Sequence, residues 1–362
     1  MTTIRAAVCR SFGSPLEIES VALREPRGRE VEVTLEATAI CHSDISYAEG
    51  IWGGDLPAIF GHESAGRITA VGPGVTGLSV GTPVVATLMH ACGLCRNCTS
   101  GRPFACTERS QVQSPWSDGN GKGIGQPLCI GGFAERIVVD QSQVAVVPAD
   151  MDPASASLLA CGVITGVGSV VNAARLRPGE DVAVIGAGGV GLNAIQGARI
   201  AGARRIVAVD MTVEKLETAR EFGATDAVLA TEPAPWDAAR AALGRGVDAV
   251  ILTVGVAAAY TQAPAYLEPG GRVVAVGMPA SGAMSSYEAT NLAANGQSII
   301  GSKMGDTVLA RDIPWLVDLY GQDRLKLDEL VSRRWTLDQI NDAIADTRAG
   351  GARRNVIVFG SA

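Results

Sequence analysis

Positive charge is in short supply in this sequence. Lys and Arg number 30 against 37 Asp and Glu, a net charge of −7, and no basic run occurs. A nucleic-acid partner is thereby excluded, because phosphate binding needs a basic face. Charge of either sign is thin, at 19 %, where about 25 % is usual for soluble chains. The opening residues, MTTIRAAVCRSFG, lack an apolar stretch of signal-peptide length, so a soluble cytoplasmic chain is expected. Residues 153–174 carry no charge and are long enough for a membrane span. Their Gly, Ser, Thr and Asn content favours a buried helix or strand pair, and no membrane partner is expected. No internal repeat, low-complexity tract or collagen period is present. Disorder, collagen and coiled coil are excluded.

What is plentiful is glycine, at 44 of 362 residues, which implies many tight turns and close backbone approaches. Apolar residues make up 47 %, enough for large cores, and the length suits two or three domains. From Arg5 to Val147 the pattern is short alternating runs broken by Gly and Pro, such as VEVTLEATAI and AERIVVDQ. That predicts a β-barrel type of domain. After Pro148, near-continuous apolar runs (DVAVIGAG, RRIVAVD, VDAVILTVG, GRVVAVGMP) alternate with amphipathic helical stretches. This predicts a parallel sheet covered on both faces, over residues 162–302. The tail, 303–362, holds two helical patterns, the second stopped by Gly350 and Gly351. Its last strand, NVIVF, is expected to return to the first domain.

Eight cysteines occur, and four of them read C-x-x-C-x-x-C then, after seven intervening residues, C. Cys92, Cys95, Cys98 and Cys106 match the tetrahedral preference of a structural zinc. An iron–sulfur cluster is the chemical rival; the polar, loop-like surroundings favour zinc. Cys41 in AICHSD, His62 in FGHESAG and Cys161 in LACGVITG suit a second metal. Two thiolates and one imidazole leave a fourth position open for water or substrate. Singly, each reads as an ordinary core cysteine or a hydrogen-bonded histidine. Beside the following motif they read as a ligand set.

Gly186, Gly188 and Gly191 form GAGGVG directly after the run DVAVI and at the start of a helical pattern. In that context the glycines make a tight turn, admit a pyrophosphate and let helix pack on strand. Gly189 and Val190 complete the loop, whose helix N-terminus faces the phosphates. Nineteen residues on, RRIVAVD ends in Asp210, an acceptor for ribose hydroxyls that would repel a 2′-phosphate. Met211 and Thr212 offer no Arg to bind one. NAD is expected rather than NADP.

Taken together, AICHSD, GHESAG, the four-Cys lobe, GAGGVG and RRIVAVD resemble the zinc-dependent medium-chain alcohol dehydrogenases, over residues 5–359. The branch most similar is the dimeric one with a long lobe segment, near the formaldehyde dehydrogenase-like members. The resemblance implies a GroES-like catalytic domain (1–161, with 303–362) and an inserted Rossmann doubly wound sheet (162–302). It implies one catalytic zinc on Cys41, His62 and Cys161 and one structural zinc on the lobe. It makes Asp44 the acid that orients His62, and Glu63 the acid that transiently approaches the metal. Lys215 would touch the adenosine ribose, and His42 and Arg354 the pyrophosphate. Ser43 would pass the alcohol proton to the nicotinamide ribose. Ser46 stands where the family's relay has a His, so here the relay is expected to end in water.

By the same resemblance, Trp52, Leu88, Trp116 and Met278 line the substrate channel. The expected reaction is oxidation of primary, and some secondary, medium-chain or aryl alcohols, with hydride passing to NAD. The alternative is a formaldehyde dehydrogenase acting on a thiol adduct. Against a glutathione adduct, Trp52, Gly53 and Gly54 replace acidic residues, and Ser110 stands where an Arg is expected. A mycothiol adduct stays open. The length of 107–131 and the late run SIIGS point to a homodimer.

Overall fold

The computed structural model describes residues 1–108 and 113–360. It divides into two compact units, one of residues 1–161 and 308–362, the other of 162–307.

The first unit is built on two antiparallel-rich sheets. Strands β1 (Thr2–Cys9), β2 (Glu17–Leu23) and β3 (Glu30–Ala39) precede helix α1 (His42–Ala48). Then come β4 (Ala58–Ile59), β5 (Glu63–Val71), β6 (Pro83–Thr87) and the short helix α2 (Arg96–Thr99). Strands β7 (Trp116–Ser117), β8 (Gly123–Ile124), β9 (Arg136–Asp140) and β10 (Val144–Val146) follow, before helix α3 (Pro153–Leu158). One sheet runs β4-β1-β2-β7-β8; the other has β10, β6, β5 and β3 in order, with β9 also on β3. β3 pairs along its edges with β5 and β9, and Val31, Val33, Leu35, Ala37 and Ala39 of its alternating run are buried. Gly66 lets those strands approach, because a Cβ there would lie 2.1 Å from the Thr34 carbonyl.

In the second unit, strands and helices alternate. Helix α4 (Ile164–Gly168) leads to β11 (Asp181–Ile185), α5 (Gly189–Ile200), β12 (Arg205–Asp210), α6 (Val213–Glu221) and β13 (Asp226–Leu229). Next are α7 (Pro235–Leu243), β14 (Val247–Leu252), α8 (Ala257–Gln262), β15 (Leu267–Ala275), α9 (Ala289–Ala294) and β16 (Ser298–Gly301). All six strands are parallel, in the order β13-β12-β11-β14-β15-β16. β11 is buried along its whole length, as expected of a central parallel strand.

The chain returns to the first unit through α10 (Leu309–Gly321), β17 (Val331–Trp335), α11 (Ile340–Ala349) and β18 (Arg354–Val358). β18 pairs antiparallel with β3 and parallel with β17, so NVIVF returns to the first unit and extends its sheet. Gly350, at φ 80°, ends α11 in a left-handed turn. The second unit ends at Thr307 rather than 302. Residues 303–307 pack within it: the Gly305 carbonyl accepts from Asn172 at 3.1 Å, and Thr307 Oγ1 donates to the Ile164 carbonyl at 3.4 Å. The uncharged run Pro153–Ala174 is one helical run with two wider π turns, and 94 % of its most apolar window is buried in the fold.

Candidate functional site

Helix α1 starts at the first candidate ligand. Asp44, at the third helical position and 1 % exposed, accepts the backbone N–H of Cys41 at 3.1 Å. Its other oxygen accepts the Gly61 N–H and His62 Nδ1, each at 2.9 Å. One carboxylate therefore ties the helix start to the Gly61–His62 segment that leads into β5. With Nδ1 donating, His62 Nε2 is left as an acceptor, and it has no hydrogen-bond partner although buried. Cys161 lies in the π turn Leu159–Val163, where a widened helix sets one side chain out of the regular register.

The thiols of Cys41 and Cys161, a nitrogen of His62 and a carboxylate oxygen of Glu63 all lie within 4.8 Å of one another, and all four residues are buried. The thiol of Cys161 donates to Cys41, which holds Cys41 well below the usual thiol range and pushes Cys161 well above it. A cation beside them would let both sulfurs ionise. Burial alone would depress His62, but Asp44 and Cys41 outweigh it and raise its pKa. Burial pushes the Glu63 carboxyl up to about 7, against the opposing pull of Arg354. Two thiols, an imidazole with a free lone pair and a carboxylate are a donor set that fits zinc.

The lobe is assembled differently. Cys92, Cys95, Cys98 and Cys106 converge within 4.8 Å on α2 and the turns beside it. The sulfur of Cys92 accepts the backbone N–H groups of Leu94 and Cys95, at 3.4 and 3.2 Å, and Cys106 accepts that of Cys92 at 3.4 Å. Backbone donors from Cys98 and Thr107 pull the Cys95 thiol down to about 5; burial and the neighbouring sulfurs push Cys98 up to about 12. No disulfide forms among the eight cysteines. This set fits a four-thiolate metal.

In the second unit the glycine loop has the geometry its sequence asks for. Gly186 sits at φ 98°, and a Cβ on Gly191 would lie 1.8 Å from the Gly186 carbonyl, so only glycine fits. Gly188 caps α5, with Gly189 and Val190 in its first turn. Asp210 ends β12 at 8 % exposure; its carboxylate accepts the N–H of Ala187 at 2.6 Å and of Met211 at 2.7 Å. The acid therefore also braces the loop. Lys215 lies half-buried in α6.

Other expected residues fall as follows. Ser43 and Ser46 are half-buried on α1, and His42 at its start is exposed. Arg354 is buried, with Nε 3.8 Å from Glu63 Oε2, a neighbour its sequence position did not suggest. Leu88 is buried just past β6. The half-buried Trp52 meets Tyr47 edge-on, with ring centroids 5.1 Å apart, and Tyr47 stacks on the buried Phe60. Trp116 is 2 % exposed in β7, where its Nε1 donates to Gln126 at 3.3 Å and its ring lies against Gly131. Its packing there is that of a barrel residue. Met278, in the second unit, is 62 % exposed. Ser110 lies outside the described residues. No motif or spacing in the sequence marks Tyr47, Phe60 or Thr87.

A barrel with a buried thiol–imidazole set and a doubly wound sheet with a glycine loop are the two halves of a metal-dependent dehydrogenase. Comparison with known proteins agrees. Residues 27–149 match the family of the alcohol dehydrogenase GroES-like domain, and residues 189–322 the zinc-binding dehydrogenase family. The NDMA-dependent alcohol dehydrogenase of Amycolatopsis methanolica is 35 % identical over 98 % of each chain. The crystal structure of an alcohol dehydrogenase zinc-binding domain protein from Burkholderia ambifaria superposes with a TM-score of 0.94, at 35 % identity, covering 99 % of this chain and 100 % of that one. Benzyl alcohol dehydrogenase from Acinetobacter calcoaceticus gives the same TM-score at 31 % identity, with the same coverage. The chain belongs to the zinc-dependent medium-chain alcohol dehydrogenases.

Proposed function

We propose that this protein oxidises primary, and some secondary, medium-chain or aryl alcohols, using NAD and two zinc ions per chain. The observation that carries the reading is the buried set of Cys41, His62 and Cys161, with His62 Nε2 lacking any partner. Those three residues would hold one zinc, and Cys92, Cys95, Cys98 and Cys106 the other. A bound zinc would supply a Lewis acid for the alcohol oxygen, and a bound nicotinamide an acceptor for the hydride. Asp44 holds His62 in the tautomer that presents Nε2 inward. The hydroxyl of Ser43, two residues past Cys41, would accept the alcohol proton while passing its own on, by way of a bound cofactor's ribose hydroxyl, to water. Asp210 supports NAD over NADP, since a 2′-phosphate beside its carboxylate would be repelled. The edge-to-face pair of Trp52 and Tyr47 supports an aryl substrate, as does the likeness to a benzyl alcohol dehydrogenase.

The test is an alcohol series from ethanol to octanol, with benzyl alcohol, assayed with NAD and, separately, with NDMA as acceptor. Each methylene covered in an apolar channel contributes roughly 0.8 kcal/mol, so kcat/KM should climb with chain length. A flat or falling series defeats the apolar-channel argument. Activity only with an added thiol and formaldehyde would move the chain to the adduct reading.

The protein acts as a homodimer in this reading. β16 takes β15 on one side, Ile299 within it is 41 % exposed, and a second copy would cover the edge. Light scattering should return two subunits; a mass near four would contradict it.

A further inference from the structure

Beside the candidate metal set lies a group of buried polar atoms without hydrogen bonds: both Glu63 oxygens, Thr87 Oγ1, and Nε and Nη2 of Arg354. Such a concentration needs a reason, because buried polar groups in folded proteins are almost always paired. The sheet register brings them together. Glu63 on β5 stands directly opposite Thr87 on β6. Directly opposed residues share a face, with Cβ atoms about 4.5–5.5 Å apart. Arg354, at the start of β18, puts its Nε 3.8 Å from Glu63 Oε2, which is an ion pair but not a hydrogen bond. On its other side the same carboxylate reaches within 4.8 Å of the Cys41, His62 and Cys161 ligand atoms.

Glu63 thus stands between donors it does not bond and a cation site it can reach. Two thiolates repel a carboxylate, and a divalent cation between them attracts it. Family resemblance gives Glu63 an approach to the metal; it does not supply the residue that receives the carboxylate when it withdraws. We propose that Thr87 is that residue. Its hydroxyl, with the Arg354 guanidinium, forms a second station for Glu63, and so sets how often the carboxylate competes with substrate for the open metal position. Thr87 acts through Glu63, as a positioning residue. One χ1 step of about 120° re-aims the Thr87 hydroxyl without disturbing the sheet backbone.

This inference rests on the catalytic-metal reading above, and the experiment separates the two. The purified holoenzyme is challenged with a chromogenic chelator, and the release phase that is missing from Cys161→Ser is followed. Thr87→Val keeps the shape and removes the donor, so Glu63 stays longer on the metal. Metal release should slow about tenfold, the scale of one hydrogen bond to a charged group. Thr87→Ser should restore the wild-type rate. In a Glu63→Gln background, Thr87→Val should change the rate less than about twofold, because the partner it controls is gone. If Thr87→Val folds poorly, Thr87→Ala poses the same question. An unchanged rate in Thr87→Val, or an equal change in both backgrounds, overturns the role of Thr87 and leaves the metal reading standing. The absence of any Cys161-dependent release phase overturns both.

Discussion

The two units treat buried polar atoms in opposite ways. Among the described residues of 162–307, every buried side-chain nitrogen and oxygen has a partner. Asp181, wholly buried, is bonded by Arg204 and Arg245, and Asn193 and Gln196 bond along α5. In the barrel unit, His62, Glu63, Thr87 and Arg354 keep unpartnered atoms in one place. The nucleotide unit is a finished scaffold that would meet its ligand through backbone N–H groups at a helix start. The barrel unit instead gathers at its centre polar atoms that a bound cation and its ligands would satisfy. The lobe stands between these extremes, since backbone N–H groups already point at its sulfurs.

The largest test of that contrast uses one cysteine from each metal set. Cys161→Ser should abolish turnover while costing only about 1 kcal/mol of stability, the ordinary effect of a single substitution. Cys98→Ser should lower the unfolding free energy by more than about 4 kcal/mol, because a metal held by the lobe would contribute its binding energy to folding. Denaturant melts and zinc analysis of both variants check this. Equal destabilisation by the two would erase the distinction between a metal used for reaction and one used for folding.

A middling effect is expected in the nucleotide unit. Wild type should prefer NAD by about 100-fold in kcat/KM, roughly 3 kcal/mol of repulsion and lost ribose bonding. Asp210→Gly should narrow the gap. It should also cost about 1–3 kcal/mol, since the Ala187 N–H loses its acceptor. Cofactor kinetics and a thermal melt of the same variant separate the two roles. A variant with wild-type stability would show that the scaffold does not need this bond.

The smallest effect comes from an ion pair that completes the sheet edge. Burial alone would raise the Asp226 pKa, but bonds from Arg205 and Thr225 outweigh it and lower it. A carboxylate with a depressed folded-state pKa stabilises the fold above its unfolded value, near 3.9, and loses that contribution as pH falls through the folded value. Asp226→Asn should therefore reduce stability by less than about 1 kcal/mol at pH 7, with the difference from wild type fading as pH falls through the folded-state value. A difference that persists at low pH would assign the effect to packing.

Sequence alone was sufficient wherever the physics is local. The lobe could be read because x-x spacing brings sulfurs together within one turn. GAGGVG could be read because a strand, a positive φ and a helix start occupy neighbouring residues, as could the stop at Gly350. Cys41, His62 and Cys161 were legible only as a set and through resemblance, since no local rule joins residues this far apart. The fold alone decided the rest. Register across β5 and β6 placed Thr87 against Glu63, and the return of β18 placed Arg354 there, neither of which any spacing encodes. Packing put Trp116 in the barrel and carried the second unit on to Thr307, where Gly305 and Thr307 settle on Ile164. Side chains that meet through strand pairing are chosen by the whole sheet, and a linear reading has no access to that choice.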